Sequence, residues 1–145
     1  MPVRIRPLEA DDYDSWLPLW KGYLDFYEVS VPGEVTAETW RRLIDPDGSV
    51  FGFGAIVGGR LVGIVHYLFH PVTWAIADRC YLEDLFVSPE ARGSGAGRAL
   101  IEAVYRAADA AGADQVYRLT AQSNKTAQLL YDRIGQRTPF IKYRR

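Results

Sequence analysis

At 145 residues, 48% apolar and 24% charged, the chain has the size and composition of one globular domain, residues 1–145, with a single sizeable core. A formal net charge of −1 supplies no global field for nucleic acid or an acidic membrane. One cysteine, Cys80, leaves no intrachain disulfide and no cysteine-built zinc site.

The charge is unevenly spread. Residues 1–48 hold ten acidic and five basic side chains, a net of −5, while residues 49–145 hold eight and twelve, a net of +4. Surface scatter explains this, and so does a first part facing a cationic substrate with a second part holding an anion. Met1-Pro2-Val3-Arg4-Ile5-Arg6 lacks the apolar stretch of a signal peptide, and the uncharged stretch at 61–77 is short of a membrane span. A cytoplasmic protein with no membrane partner is expected.

Residues 3–6 alternate apolar and charged, as a short strand does. Asp11 and Asp12 can cap a helix carrying Trp16, Leu17, Trp20, Tyr23, Leu24 and Tyr27 at helical spacing, with Pro18 predicting a late start or a kink. Val31-Pro32-Gly33 breaks that pattern, and a second helix follows over 36–44. After the turn Asp45-Pro46-Asp47-Gly48, residues 50–57 and 61–69 read as a hairpin around Gly58-Gly59. Residues 74–77 and 80–87 extend the sheet, and 97–111 form an amphipathic helix closed by Gly112. A strand at 115–120, a helix at 123–134 stopped by Gly135, and a strand at 138–143 complete a mixed α/β sheet.

The junction of strand 80–87 and helix 97–111 is rich in glycine: Arg92-Gly93-Ser94-Gly95-Ala96-Gly97-Arg98. A strand, a tight turn and a helix N-terminus in series direct backbone N–H groups and the helix dipole at one point. Glycine allows a phosphate to approach closely, and Arg92 and Arg98 can add charge-assisted hydrogen bonds. The spacing fits neither the dinucleotide pattern, since position 98 is arginine, nor the nucleotide P-loop, which needs a lysine followed by Ser or Thr.

The remaining pattern, Arg92-x-x-Gly95-x-Gly97, resembles the pyrophosphate-binding signature of the GNAT superfamily of N-acetyltransferases. The run Leu82-Glu83-Asp84-Leu85-Phe86-Val87 resembles that family's fourth strand. Leu119-Thr120-Ala121-Gln122-Ser123-Asn124 to Leu130-Tyr131-Asp132-Arg133-Ile134-Gly135 resembles its fifth strand and following helix. The likeness covers the last two-thirds of the chain, and residues 1–48 match in general layout. It implies a mostly antiparallel central sheet flanked by helices, with a bulged fourth strand splayed from the fifth, and transfer of an acetyl group from acetyl-CoA to a primary amine. The amine belongs to a small molecule or to a lysine-like peptide side chain, and no metal takes part.

Carried over residue by residue, the resemblance implies that Leu85, Phe86 and Val87 offer backbone partners to pantetheine. A backbone N–H near Phe86 or Val87 would polarise the thioester carbonyl. Gly93, Ser94, Gly95, Ala96, Gly97 and the flanking arginines would hold the pyrophosphate, and Asn124 and Ala127 would contact the cofactor from the far side of the gap. Tyr131, two helical turns after Asn124, is the candidate general acid, a packing aromatic being the alternative. Glu83 is the candidate base, or a carboxylate that only orients the amine; strand alternation predicts that Glu83 and Asp84 point to opposite faces. The Glu83 strand is similar to that of polyamine-type acetyltransferases.

Cys80 reads as a buried strand cysteine, and His66 and His70 share a face without a third metal ligand. Trp16, Trp20, Tyr23 and Tyr27 are core residues or walls of an acceptor pocket toward which Asp25, Glu28 or Glu34 draws the amine. The terminal strand ending Lys142-Tyr143-Arg144-Arg145 is placed to pair between the subunits of a homodimer. An acyl-CoA-binding regulatory module without turnover is the rival reading.

Overall fold

Five strands make one sheet in the order β1 (Arg4–Pro7), β2 (Val50–Val57), β3 (Arg60–His70), β4 (Arg79–Val87) and β5 (Val116–Tyr117) in a computed structural model that describes residues 1–145. The first four are antiparallel neighbours, and β5 joins β4 in parallel. The β2–β3 hairpin closes on Gly58 and Gly59 at φ +57° and +77°, a turn only glycine adopts without strain.

Period-two alternation sends successive residues of β3 to opposite faces. On one face Val65 and Tyr67, with Cys80 and Leu82 of β4, pack against Leu100, Ile101, Val104 and Ala108 of α3 (Ala96–Ala110). On the other, Ile64 packs under Trp16, Leu19 and Trp20 of α1 (Tyr13–Phe26) and Trp40 and Leu43 of α2 (Gly33–Ile44). Trp16 is fully buried, stacked on Trp20 at 5.6 Å and tilted against Trp40 at 4.8 Å. The Trp20 indole donates to Thr36 Oγ1 at 3.0 Å, tying α1 to α2.

Several boundaries differ from the sequence expectation. Helix α1 starts at Tyr13 and runs through Pro18, its aromatic stripe anchored in the core on both sides of the proline. Asp12 makes no side-chain cap; its carboxylate takes two bonds from Arg6, at 2.7 and 2.9 Å, and one from the Glu9 amide at 2.7 Å. Helix α2 begins at Gly33, because Pro32 sits in the N-cap position where its missing N–H costs nothing. Residues 74–77 form no strand, and Trp74 and Ile76 project into solvent. Residues 138–143 also form none, and Phe140, Ile141 and Tyr143 are exposed. The expected strand at 115–120 contracts to Val116 and Tyr117, since β4 and β5 pair only at Cys80–Val116 and Tyr81–Tyr117 and then part.

Candidate active site

The parting of β4 and β5 opens the sheet beside Leu82–Val87, and the glycine-rich turn lies at the end of that opening. Strand β4 ends at Val87, a short 3-10 turn covers Pro89–Ala91, and α3 follows from Ala96. Gly93 and Gly95 sit at φ +85° and +87° with open space where a Cβ would project. The first helical bond of α3 runs from the Ala99 amide to the Gly95 carbonyl at 3.0 Å. The amides of Gly95, Gly97 and Arg98 therefore precede the helical ladder, at the positive end of the dipole. Ser94 Oγ takes the Ala96 amide at 3.3 Å. At Gly97 a Cβ would meet Val87 and Leu130 only at 3.7 and 4.0 Å, so packing does not demand glycine there; a Cβ would instead narrow the space above the amides. Arg92 lies over the Phe86 ring at 5.8 Å, and Arg98 is held by Glu102 at 2.8 Å.

A β-bulge shapes the middle of the opening. Register runs from His66–Asp84 to Tyr67–Leu82, leaving Glu83 as the extra residue of β4. Leu82 and Leu85 both join the core on the α3 side, so the two carboxylates between them lie together on the α1 side. This corrects the opposite-face expectation, which assumed unbroken pleating. Glu83 is exposed by area, yet enough protein crowds it that lost hydration raises its carboxyl above the usual range. The Asp84 charge adds to the rise and His66 opposes it.

Helix α4 (Lys125–Ile134) supplies the opposite wall. Asn124 caps it, Oδ1 accepting from the Ala127 amide at 3.3 Å, and Asn124, Ala127, Tyr131 and Ile134 form its half-buried inner stripe. The Arg118 guanidinium stacks over the Tyr131 ring at 4.4 Å. Burial raises the Tyr131 hydroxyl, the Arg118 charge lowers it and Tyr27 raises it, leaving a phenol that holds its proton at neutral pH. Arg118 acts on tyrosines of both faces, Tyr23 and Tyr81 as well as Tyr105 and Tyr131, so its guanidinium lies in the opening itself. Its Nε and Nη1, and Thr120 Oγ1, are buried without partners in the chain. Orphaned donors beside a split sheet suit a cosubstrate arm with amide carbonyls.

The α1 side adds residues that the sequence pattern did not single out as functional. Trp16 Nε1 donates to His66 Nε2 at 3.1 Å, and His66 Nδ1 meets Asp84 Oδ2 at 2.9 Å. Burial, then the Asp84 charge, pushes the Tyr23 hydroxyl far up. Tyr81 stacks on Tyr117 at 4.8 Å, and the Tyr117 hydroxyl bonds His70 Nε2 at 2.7 Å. His66 and His70 thus spend their nitrogens in separate hydrogen bonds. Asp84 and Arg118 both act on Tyr23 and Tyr81 on the α1 side, while Tyr131 packs against the α3-side core under the Arg118 guanidinium. Asp25, Glu28 and Glu34 stay on the exposed surface. Cys80 is fully buried and its thiol is pushed up to about 11 by burial, so it is no nucleophile at neutral pH.

A split sheet with a glycine-rich turn and a helix N-terminus at one end suits a donor that bears phosphate. Residues 13–136 match the Acetyltransferase (GNAT) family. The D-amino-acid N-acetyltransferase HPA3 of Saccharomyces cerevisiae is 38% identical over 145 residues, 99% of this chain and 90% of the yeast protein. The thialysine N-epsilon-acetyltransferase of Sus scrofa is 38% identical over 80 residues, 55% of this chain and 46% of that protein. Among solved structures, the aminoglycoside N-acetyltransferase AAC(6')-Iy in complex with CoA superposes with a TM-score of 0.85 at 20% identity, covering 99% of this chain and 94% of that one. The chain belongs to the GNAT family and is an acetyl-CoA-dependent N-acetyltransferase acting on amines.

Proposed function

We propose that residues 1–145 act as one catalytic domain that acetylates a small primary amine within the opening between β4 and β5. The observation that carries this reading is the bulge at Glu83. With it two carboxylates share the α1 side of the opening, and Tyr131 stands on α4.

In this reading the amides of Gly95, Gly97 and Arg98, with Gly93, Ser94, Ala96 and the Arg92 guanidinium around them, hold the pyrophosphate of acetyl-CoA. The main chain of Leu85, Phe86 and Val87 pairs with its pantetheine arm, with Asn124 and Ala127 on the far side. Glu83 takes a proton from the bound ammonium through water, freeing the nitrogen lone pair to attack the thioester carbonyl carbon. A backbone N–H near Phe86 or Val87 meets the oxygen as charge builds there. When the carbon–sulfur bond breaks, Tyr131 gives its proton to the departing sulfur, and the second proton of the attacking nitrogen leaves through water and restores the phenol, giving the neutral amide. The raised carboxyl of Glu83 suits a base, and the protonated phenol of Tyr131 suits an acid.

The acceptor is a small amine of the amino-acid kind, in keeping with the names of the yeast and pig relatives. The aromatic rings of Tyr23, Tyr27, Tyr81 and Tyr117 line its approach, and Glu83 and Asp84 attract its charge. The enzyme works in the cytoplasm as a homodimer, with exposed Phe140, Ile141 and Tyr143 covered by a second copy. Release of free CoA thiol across D- and L-amino acids, thialysine, polyamines, aminoglycosides and basic peptides tests the acceptor. Fastest turnover with a free amino acid supports the reading, and turnover confined to peptides or aminoglycosides overturns it.

A further inference from the structure

We propose that His66 is a positioning residue for acetyl transfer: its ring, oriented by Trp16, holds the Asp84 carboxylate beside Glu83 to receive the acceptor's ammonium. This rests on the reading that the amine binds on the carboxylate side of the opening.

The tautomer follows from the bonding. An indole N–H can only donate, so His66 Nε2 presents its lone pair to Trp16 at 3.1 Å. The ring is 1% exposed, and with the Nε2 lone pair taken by the indole its proton sits on Nδ1. That proton points at Asp84 Oδ2, 2.9 Å away, and the carboxylate oxygen accepts it. The three groups come from α1, β3 and β4, with Trp16 fully buried and the Asp84 side chain 14% exposed. The relay therefore runs from the core outward and ends next to the extra residue of the bulge. The register pairs Asp84 with His66, and the bulge brings Glu83 onto the same face beside it. A donor fixed on Asp84 sets the direction of that carboxylate beside Glu83.

A core tie between α1 and the sheet would account for the same bonds, so the test needs a readout that such a tie does not move. Steady-state kinetics on His66→Leu and His66→Asn, with the best amine of the acceptor panel, provide it, alongside calorimetric binding of acetyl-CoA. Asparagine can still donate from near the Nδ1 position and leucine cannot. His66→Leu is expected to raise the amine KM about tenfold or more with acetyl-CoA affinity unchanged, and His66→Asn to stay within about threefold of wild type. A lowered melting point with an unchanged amine KM in the leucine variant overturns the proposal.

Ring 15N–1H correlations on the wild type give an arm that needs no acceptor and no mutant. A proton on His66 Nδ1 supports the relay, and a proton on Nε2 overturns it. If the wild type acetylates no amine in the panel, the acceptor reading fails by itself, and the tautomer still decides the His66–Asp84 link.

Discussion

Glu83 carries the pH dependence of the proposed chemistry. Burial, then the Asp84 charge, raises its carboxyl, so the basic form is lost as pH falls through a value above that of an ordinary glutamate, about 4.3. The acid limb of kcat is expected above that pH, and Glu83→Gln is expected to remove the limb while lowering kcat about a hundredfold. A kcat–pH profile of both proteins checks this, and an unchanged limb in the variant would show another group titrating. The glycines, Asn124 and Tyr131 were legible because they belong to a linear motif with fixed spacing. Tyr23 was readable as an aromatic of the core or of the acceptor wall, but the links of His66 and Arg118 were not, because contacts 50 residues apart, such as Trp16 to His66, leave no local pattern.

Elements add their own tests. Helix α1 ends in a Schellman motif, with the Val29 amide on the Leu24 carbonyl at 3.0 Å and the Glu28 amide on the Asp25 carbonyl at 3.0 Å. Glu28 occupies the left-handed position at φ +54°, where a Cβ is strained. Glu28→Gly is expected to raise unfolding free energy by about 0.5–1 kcal/mol in denaturant titration, without loss of activity, since Glu28 lies outside the cleft. At the other end, Arg6 bonded to Asp12 ties β1 to α1. The Arg6 bonds, helped by the Glu9 amide against burial, hold the Asp12 carboxyl below the usual range. A lowered folded value contributes stability above the unfolded value, about 3.9, that is lost as pH falls through the folded one. Asp12→Asn is therefore expected to cost about 2 kcal/mol at pH 7, with the gap to wild type closing as pH drops below 4. Pro18 and Pro32 show the limit of local rules here: one is carried inside a helix by its aromatic stripe, the other starts a helix that the sequence placed three residues later.

For the whole molecule, alternation and glycine punctuation made the order of strands and helices readable, and the motif made the fold class readable. The two strands expected at 74–77 and 138–143 were misread because apolar content does not supply a neighbour. Trp74, Ile76, Phe140, Ile141 and Tyr143 are exposed and pair with no strand. On the proposed homodimer, deleting residues 138–145 is expected to leave a monomer in sedimentation velocity; an unaltered oligomeric state would contradict a contact through this segment. The opening between β4 and β5, with Tyr131 on one wall and Glu83 on the other, is the feature on which the chemistry depends.

Its most direct test is single-turnover release of CoA thiol by wild type and Tyr131→Phe, with acetyl-CoA affinity measured in parallel. The account predicts at least a hundredfold slower acetyl transfer at an affinity within about threefold of wild type. Equal rates in the two proteins would contradict it, and would leave Tyr131 a packing residue beside Arg118.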